Sequence, residues 1–366
     1  MGRRESAAAS PGARAGWRTI YSGRVSMKSE RRSVTINDVA RVAGVSRAAV
    51  SKVIRNAAGV SPEMRERVGL AIAELGYRPS LAARAMRGSS YRLGLEIPHL
   101  SARFMTQIVD GAKRALVGTP YQLVLAPADG PEYGAIEALA DGLVDGIIAV
   151  SPLVDPAWLE QLSLRVPVVM LGRHDRADNY DTVVDDDVAG TREVMDHLLR
   201  LGHRRIAHLT EAEPVTVPGS GTPHALRLQV YLDCMSEAGL GSLASVARRG
   251  PGEDGARRAA AELLAGAEPP TAIFAAHDDI AIGALAGVAD AGRAYGEVSV
   301  VGYDNTDLAA HPLLSLTSVD QSGPEMGEQA VTMLLERIQG RTGHREHLVT
   351  PALRVRSSTT PPPPGL

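Results

Sequence analysis

The sequence predicts a small all-α helix-turn-helix domain followed by a two-lobed α/β domain with parallel sheets and helices on both faces. Three observations predict this fold class. Three short amphipathic segments and a glycine turn lie within residues 33–76. From residue 92 onward, apolar strand patterns alternate with amphipathic helices, which is typical of parallel sheets covered on both faces. About 250 residues of this alternation are more than one sheet and its covering helices usually contain, so two lobes are expected.

Charge is distributed unevenly along the 366-residue chain. Residues 1–92 hold 18 Lys and Arg against 6 Asp and Glu, whereas the remainder holds 21 against 36. A basic N-terminal part on an acidic body favours a polyanion-binding module, because the body by itself repels DNA. The alternative from charge alone is a solvated basic tail.

Composition and the termini indicate a compartment. No run of about 18 apolar residues is present, so no membrane span is expected. The N-terminus lacks the apolar core of a secretory signal. The single cysteine, Cys234, fits a reducing cytoplasm. We therefore expect a cytoplasmic protein, with translation beginning at Met1 or Met27.

The N-terminal helices are predicted from apolar spacing and from capping residues. Three apolar sets follow helical spacing: Val39 with Ala43, Val50 with Ile54, and Val68 with Ile72 and Leu75. Gly44 supplies a tight turn, and Ser46 is the N-cap expected for the second helix. Ser61 followed by Pro62 begins the third. A short glycine turn between the first two helices predicts a helix-turn-helix.

The α/β part contains seven clear strand candidates and intervening helices. The strand candidates are RLGLEI, YQLVLA, GIIAV, PVVML, RIAHL, TAIFAA and VSVVGY. The helix candidates include residues 104–117, 155–162, 188–201, 226–238, 254–264, 278–291 and 325–338. Residues 1–32 lack periodicity and are predicted to be disordered, as is the proline-rich end at 359–366.

The run VTINDVARVAGVSRAAVSKVIRN, residues 34–56, resembles the DNA-binding headpiece of the lactose-repressor/galactose-repressor (LacI/GalR) family of bacterial transcription regulators. The resemblance continues through VSPEMRERVGLAIAELGYRPSLAARAMRG. It covers most of residues 33–358, including RLGHRRIAHL, FAAHDDIAIGAL and VSVVGYDNTDLAAHPLLSLTSVDQSGPEMGEQA. It implies a sequence-specific regulator, expected to be a repressor, that binds a pseudo-palindromic double-stranded DNA operator as a homodimer.

The resemblance also implies how the chain is divided. The α/β body is similar in fold to periplasmic sugar-binding proteins, whose two lobes hold a small molecule between them. The implied segments are a headpiece at 33–79, a hinge helix or linker at 80–90, a first effector-domain lobe at 91–187 and 322–343, and a second lobe at 188–321 and 344–358.

The first turn of the second helix is expected to face base edges in the major groove. By resemblance, Arg47 and Ala48 select the operator, Ala49 lies beside them, and Lys52 follows one turn later. Arg47 suits a guanine O6/N7 pair, whereas Ala48 offers a methyl contact. Phosphate contacts are expected from Thr35, Ser46, Ser51 and Arg55.

The short stretch SLAARAM is, by resemblance, a hinge helix that folds when two subunits occupy the operator. Small residues such as Ala83 allow close approach, and Met86 is the apolar wedge expected between base steps. Arg84 and Arg87 are expected to neutralise flanking phosphates. The alternative is a linker that only tethers the two parts.

An effector site between the lobes is the second implied site. Six residues are carried over to it: Phe104, Ser151, Arg173, Arg227, His277 and Asp304. Arg227 is expected to bond effector hydroxyls or carboxylates, Asp304 to accept from sugar hydroxyls, and Phe104 to stack on a sugar ring. The expected effector is a carbohydrate, with no other cofactor. An interlobe salt bridge between Arg227 and Asp304 stays open, as does a structural role for His277.

Three further features bear on the interpretation of this site. Asp278 is expected to cap the helix that it begins. Asp186 and Asp187 favour helix capping and lobe contacts over metal binding, because the spacing and the distal glutamate of a calcium loop are absent. The segment between Leu209 and Arg227 is longer than is usual in the family and proline-rich, which leaves the effector's identity open.

Two other function classes compete with a regulator. A solute-binding protein for transport would need a signal peptide and no headpiece, and the sequence has the opposite. An α/β enzyme would be expected to carry a phosphate-binding glycine loop, a nucleophile elbow or a metal-ligand cluster, and none of these motifs is present. The sequence therefore predicts a ligand-responsive regulator rather than an enzyme.

Overall fold

The computed structural model describes residues 34–54, 57, 59–77, 89–128, 133–141, 144–250 and 252–364. The chain divides into two compact units, Met1–Ser80 and Leu81–Leu366. The predicted N-terminal extension at 1–32 and most of the predicted hinge, residues 80–88, lie outside the described residues.

The first unit contains the three predicted helices. They are α1 (Ile36–Ala43), α2 (Arg47–Ile54) and α3 (Pro62–Leu75). Gly44, at φ 65°, ends α1 in the left-handed conformation that glycine adopts without strain, so α2 can begin three residues later. Ser46 accepts a hydrogen bond from the backbone N–H of Ala49 at 3.1 Å, as predicted for an N-cap.

The core of the first unit is formed by one face of each helix. Its buried members are Val39, Ala40, Ala43, Val50, Val68, Ala71 and Tyr77. Ile54, Ile72 and Leu75 pack against this cluster from its edge. The helical spacing read from the sequence therefore identifies the packed faces correctly.

The second unit has two lobes, each built on a six-stranded sheet. The first sheet has the order β11-β5-β4-β3-β1-β2, and all of its pairings are parallel. Its strands are β1 (Arg92–Ile97), β2 (Gln122–Pro127), β3 (Gly146–Val150), β4 (Val168–Leu171), β5 (Asp181–Asp185) and β11 (Glu346–Val349). Its helices are α4 (Arg103–Ala115), α5 (Gly134–Ala140), α6 (Pro156–Ser163) and α11 (Gly323–Ile338).

The second sheet has the order β12-β10-β9-β8-β6-β7, with β12 antiparallel to β10 and the other pairs parallel. Its strands are β6 (Ile206–Thr210), β7 (Ser245–Arg248), β8 (Ala272–Ala275), β9 (Ser299–Tyr303), β10 (Thr317–Asp320) and β12 (Ala352–Arg354). Its helices are α7 (Asp187–Arg200), α8 (Pro223–Glu237), α9 (Gly252–Leu264) and α10 (Asp278–Asp290).

Helices cover both faces of each sheet, as the alternating pattern predicted. In the first lobe, α4 and α11 pack on one face while α5 and α6 pack on the other. In the second lobe, α9 and α10 share one face, and α7 and α8 share the other. Burial on both faces explains why the central strands are continuous apolar runs rather than alternating ones.

Two predicted boundaries are wrong. Residues 344–358 were assigned to the second lobe, but β11 pairs with β5 in the first sheet, so the chain returns to the second lobe only after Val349. Disorder was predicted from residue 359, but the tail is hydrogen-bonded along the second lobe. The carbonyl of Thr360 accepts from His203 Nε2 and from the Ser299 hydroxyl, each at 2.9 Å. These buried polar partners offset the ordering of a proline-rich segment.

Candidate functional site

The first turn of α2 presents its side chains outward. Arg47, Ala48 and Lys52 are exposed and Ala49 is half-buried, whereas Val50 is buried in the helical core. The predicted base-reading residues therefore lie on the open side of the second helix of a helix-turn-helix. Sequence spacing was sufficient to find this face, because each buried apolar residue fixes the rotation of its helix.

The predicted phosphate-contacting hydroxyls already have structural partners. The Thr35 hydroxyl donates to Asp38 Oδ2 at 2.7 Å, and its oxygen caps α1 in a reciprocal capping box. Ser46 caps α2 through its oxygen, so its proton is still able to donate. Ser51 is half-buried on the same helix. The phosphate contacts of these residues stay predictions.

Five predicted DNA contacts lie outside the described residues: Arg55, Ala83, Arg84, Met86 and Arg87. The hinge assignment therefore remains an expectation from the sequence.

At the predicted effector site, Arg227 on α8 is buried and held on three sides. Its Nε lies 2.6 Å from Asp187 Oδ1, its Nη1 donates to the Ala276 carbonyl at 2.7 Å, and its guanidinium lies 3.5 Å from the centroid of the Tyr303 ring. The carboxylate partner of Arg227 is thus Asp187, which answers the open question about a salt bridge with Asp304. In this structure Arg227 therefore has a structural role as a buried cation.

Asp187 connects the two lobes. His174, in the loop after β4, lies 2.8 Å from Asp187 Oδ2, so Asp187 has a first-lobe histidine on one oxygen and the second-lobe Arg227 on the other. Burial raises the pKa of Asp187, but Arg227 and His174 outweigh that effect and hold its pKa below the ordinary value. Asp187 is therefore ionised at neutral pH, and its predicted role in lobe contacts is confirmed.

Asp185, two residues earlier, behaves differently. It is buried and accepts a hydrogen bond from the Tyr303 hydroxyl at 2.8 Å. Burial, together with the nearby Asp187 charge, raises the pKa of Asp185 to about 7. Between the two, Asp186 caps α7 by accepting from the Ala189 N–H at 2.9 Å. The three successive carboxylates thus have three separate structural partners.

A second polar cluster lies where β6, β7 and β8 end. Glu211 Oε1 lies 2.9 Å from His277 Nε2 and 2.9 Å from Arg249 Nε. Burial raises the pKa of Glu211, but the hydrogen bond and charge of His277, with Arg249 and His224 nearby, lower it to about 2. The His224 ring lies 5.8 Å from that of His277. A structural role for His277 is therefore realised in this structure.

Sequence reasoning missed Glu211, Arg249 and His224. Two of them directly follow strands, and carboxyl ends of parallel strands meet at one edge of a sheet, so strand ends were the available signal. β7 was not predicted, because its Ser245 and Arg248 interrupt the apolar pattern. Arg249 consequently had no strand end to mark it.

Asp304 follows β9 and is buried, with φ of 109°, a conformation that residues with a side chain rarely adopt. Its Oδ1 accepts from Gln321 Nε2 at 2.5 Å. Burial and the neighbouring Asp278 raise the pKa of Asp304 well above its ordinary value. In its protonated form this carboxyl group both donates and accepts hydrogen bonds, which suits a hydroxylated ligand.

The predicted helix cap at Asp278 is wrong. The N-cap residue of α10 is His277, and Asp278 is the first helical residue. The buried Asp278 carboxylate accepts from the Thr306 N–H at 2.7 Å, the Thr306 hydroxyl at 2.9 Å and the Ser318 hydroxyl at 2.6 Å. It therefore ties α10 to the loop after β9 and to β10, which local sequence could not show.

The first-lobe residues carried over to the cleft are also used structurally. Arg173 is buried and donates to the carbonyls of Pro152 at 2.7 Å and Val154 at 2.9 Å, and it pairs with Asp175 at 2.6 Å. The Ser151 hydroxyl donates to the Leu171 carbonyl at 3.2 Å. Phe104 is half-buried against the first-lobe core.

Several contacts join the lobes across the cleft. Arg103 at the start of α4 pairs with Asp279 at the start of α10. Gln107 Nε2, one turn further along α4, donates to the Asn305 carbonyl at 3.1 Å. The His174 N–H donates to the Gly221 carbonyl at 2.9 Å. The long loop after β6 therefore reaches the first lobe.

Comparisons with known proteins agree with this architecture. The sequence profile of bacterial regulatory proteins of the lacI family matches residues 35–80, and that of a periplasmic binding protein-like domain matches residues 195–359. The ribose operon repressor of Escherichia coli K12 is 32% identical over 333 residues, covering 88% of this chain and 99% of that protein. Catabolite control protein A of Priestia megaterium is 31% identical, covering 85% and 94%.

Solved structures give the same picture. The lac repressor dimer bound to operator and the anti-inducer ONPF matches with a TM-score of 0.74 and 28% identity, covering 90% of this chain and 100% of that one. The regulator CelR in complex with cellobiose matches with a TM-score of 0.64 and 32% identity, covering 89% and 99%.

Proposed function

Because the chain belongs to the lacI family of bacterial regulatory proteins, it is a DNA-binding transcriptional repressor under small-molecule control, and we propose that its effector is an uncharged, polyhydroxylated compound such as a neutral sugar. The relatives that it matches are transcriptional repressors, and we infer that this chain likewise has no catalytic activity and needs no cofactor. We also infer a cytoplasmic homodimer. Within the described residues, no helix has the length and apolar character needed to cross a membrane.

Operator recognition is supported by the exposed first turn of α2. Arg47 carries five N–H donors in a fixed fork that matches guanine O6 and N7, and the methyl group of Ala48 beside it is exposed, which suits an apolar contact with a thymine methyl. Two such helices in a dimer would occupy half-sites about one helical turn apart on a pseudo-palindromic operator. The solved lac repressor structure that resembles this chain is a dimer on its operator.

The charge of the effector is inferred from how the cleft arginines are paired. Arg173 lies 2.6 Å from Asp175, Arg227 lies 2.6 Å from Asp187, and Arg249 lies against Glu211. An anionic ligand would have to compete for one of these cations and would leave its carboxylate unpaired. Breaking a buried pair costs about 3–5 kcal/mol. Phosphorylated or carboxylated ligands are therefore disfavoured at the proposed effector site.

Hydroxyl groups are better matched to the groups that remain. Asp304, with its raised pKa, is able to donate and accept, and His277 has one ring nitrogen beyond its contact with Glu211. The CelR structure contains cellobiose, and an Enterococcus faecium regulator that resembles this chain at 25% identity and a TM-score of 0.65 contains ribose. Both bound molecules are uncharged polyols. We propose Asp304 and His277 as the residues that bond the effector.

A paired screen tests the charge of the effector. Thermal unfolding would be measured with neutral sugars and with their phosphate esters, for example D-ribose against D-ribose 5-phosphate. A neutral sugar is expected to raise the melting temperature by mass action and to change affinity for operator DNA, whereas its ester does neither. Preferential stabilisation by the esters would contradict the proposal.

Two matched variants test the site. Asp304→Ala is expected to abolish the response to the stabilising sugar, and Asp307→Ala, at an exposed position in the same loop, is expected to preserve it. An unchanged sugar response in Asp304→Ala would show that the effector binds elsewhere. Secondary structure from circular dichroism would confirm that both variants fold.

A further inference from the structure

Asp145 binds three consecutive residues at the start of the second unit. Its Oδ1 accepts from the Ser90 N–H at 2.6 Å, and its Oδ2 accepts from the Tyr91 N–H at 2.8 Å and from the Ser89 hydroxyl. Asp145 immediately precedes β3, in the centre of the first sheet. One carboxylate therefore fixes the chain directly before β1 to the start of a central strand.

The backbone around this carboxylate is fixed by further contacts. The Asp145 N–H donates to the Arg92 carbonyl at 2.8 Å, and the Gln122 N–H donates to the Tyr91 carbonyl at 2.9 Å. The Tyr91 and Tyr121 rings meet edge to face, with centroids 5.5 Å apart. These contacts hold Tyr91 at φ 52°, in the left-handed region that a residue with a side chain adopts only when its surroundings require it.

The position of this anchor along the chain gives it a consequence for DNA binding. The second unit begins at Leu81, and residues 89–91 are the first of its residues that the structure describes, eight positions after that boundary. If residues 89–91 were released, each would lengthen the freely moving part of the chain by at most ~3.3–3.6 Å. The three together would give roughly 10 Å of extra length, which we call slack. Movement of the first sheet would then be absorbed by slack rather than passed along the chain.

We propose that Asp145 is a positioning residue for operator binding: it removes slack at residues 89–91, so that the first sheet sets the spacing of the two DNA-reading helices in the dimer. This inference rests on the proposed operator binding. Specific binding needs both helices at a defined spacing, whereas non-specific binding depends on phosphate charge and tolerates variable spacing.

The first test replaces the carboxylate in the full-length protein. Asp145→Asn keeps the shape but turns an amide donor toward N–H donors. It is expected to weaken binding to the selected operator at least tenfold and to change binding to scrambled duplex less than twofold. Ser89→Ala removes one of the three donors and is expected to give a smaller loss of the same kind. Asp141→Asn, an exposed position at the end of α5, is the matched control and is expected to behave like wild type.

The second test separates positioning from simple stabilisation of the fold. Two glycines inserted between Gly88 and Ser89 introduce slack directly. If Asp145 acts by removing slack, the losses of specific affinity from the insertion and from Asp145→Asn are expected to be non-additive, because the slack of the insertion already keeps the first sheet from setting the spacing, and releasing residues 89–91 as well then has little further effect. Additive losses, or parallel losses on operator and scrambled DNA, would overturn the inference.

The result also distinguishes this inference from the proposed function. If wild type binds the selected operator no better than scrambled DNA, operator recognition itself fails. If wild type discriminates and both Asp145→Asn and Ser89→Ala discriminate equally well, the anchor alone is refuted. If Asp145→Asn does not fold, Ser89→Ala and the glycine insertion still decide the question.

Discussion

The guanidinium of Arg227 lies 3.5 Å from the centroid of the Tyr303 ring. The same guanidinium binds Asp187, while the Tyr303 hydroxyl binds Asp185. The stacked side chains therefore contact two carboxylates that are two residues apart. The guanidinium pairs with Asp187 by charge, and the Tyr303 hydroxyl donates a hydrogen bond to Asp185. The pKa of Asp187 is low and that of Asp185 is raised to about 7 by burial, so near neutral pH Asp187 is charged whereas Asp185 is close to the midpoint of its titration.

Removing Arg227 is expected to destabilise the second unit even when no ligand is present. In Arg227→Ala the buried Asp187 loses its cation, and the free energy of unfolding is expected to fall by about 3–5 kcal/mol. Urea unfolding at pH 7 would show a lower midpoint with an unchanged slope. Arg257→Ala, which breaks an exposed pair with Asp290, is the control and should lose much less. Equal losses would contradict the structural role of Arg227.

Glu96 on β1 gives a pH dependence with a defined sign. Its carboxyl is buried beside the Val150 N–H, and burial raises its pKa from 4.5 to about 7. A raised pKa contributes stability that is complete at low pH and lost as pH rises through the folded-state value. Glu96→Gln is therefore expected to gain on wild type from pH 4.5 to about 7, reaching about 3 kcal/mol, with no further gain above.

The comparison with wild type at each pH isolates Glu96 from the other titrating groups. His208 and His224 have pKa values lowered to about 3 by burial, so their contribution to stability rises with pH and opposes that of Glu96. A constant difference between Glu96→Gln and wild type across pH 4.5 to 7 would show that Glu96 titrates normally in the folded protein.

Arg47→Ala is expected to change which operator is bound rather than how strongly all DNA is bound. Loss of a bidentate guanine contact costs about 1–3 kcal/mol at one base pair in each half-site and relaxes the preference there. Affinities for single-base operator variants, measured at fixed salt, would reveal the position. A uniform loss over every sequence would instead identify Arg47 as a phosphate contact.

The C-terminal segment is expected to contribute to stability. Truncation after Ser358 removes the Thr360 carbonyl, which accepts from both His203 Nε2 and the Ser299 hydroxyl. One of these two buried donors is then left without an acceptor, and an unsatisfied buried polar group costs about 1–3 kcal/mol. Truncation after Pro363 keeps these contacts and is the matched control. Chemical unfolding of both forms provides the measurement, and equal stabilities would contradict the docking of the tail.

The fold was predictable for those helices and strands whose apolar residues form a clear local pattern. The seven predicted strands and the three short N-terminal helices all form, because strands buried on both faces appear as continuous apolar runs and the buried face of each helix appears as helical spacing. β5 and β10 were missed, because Asp181 and Thr317 are buried polar residues whose partners are far along the chain: Arg341 pairs with Asp181, and the Ser358 hydroxyl accepts from the Thr317 N–H. Local pattern does not reveal such distant partners.

The candidate sites also combine features that local sequence predicts with features that depend on distant partners. The exposed side of α2 follows from local spacing alone. The assignment of Arg227 and Asp304 to the effector site rests on resemblance and stays a prediction, and the resemblance did not reveal their partners in the structure. The assignment of Asp278 as a cap failed because its true partners, Thr306 and Ser318, lie on other elements. Short-range rules identify surfaces, whereas buried charge networks require the three-dimensional structure.

The central claim is that two copies of this chain read a symmetric operator under the control of an uncharged effector. The most direct test is titration of full-length protein onto a duplex selected from random sequence, with stoichiometry and affinity followed by fluorescence anisotropy and native mass spectrometry. The account predicts two chains on each pseudo-palindromic duplex, much weaker binding to a scrambled duplex, and a change in operator affinity when the stabilising neutral sugar is added. One chain on each duplex, or equal affinity for the selected and scrambled sequences, would contradict it.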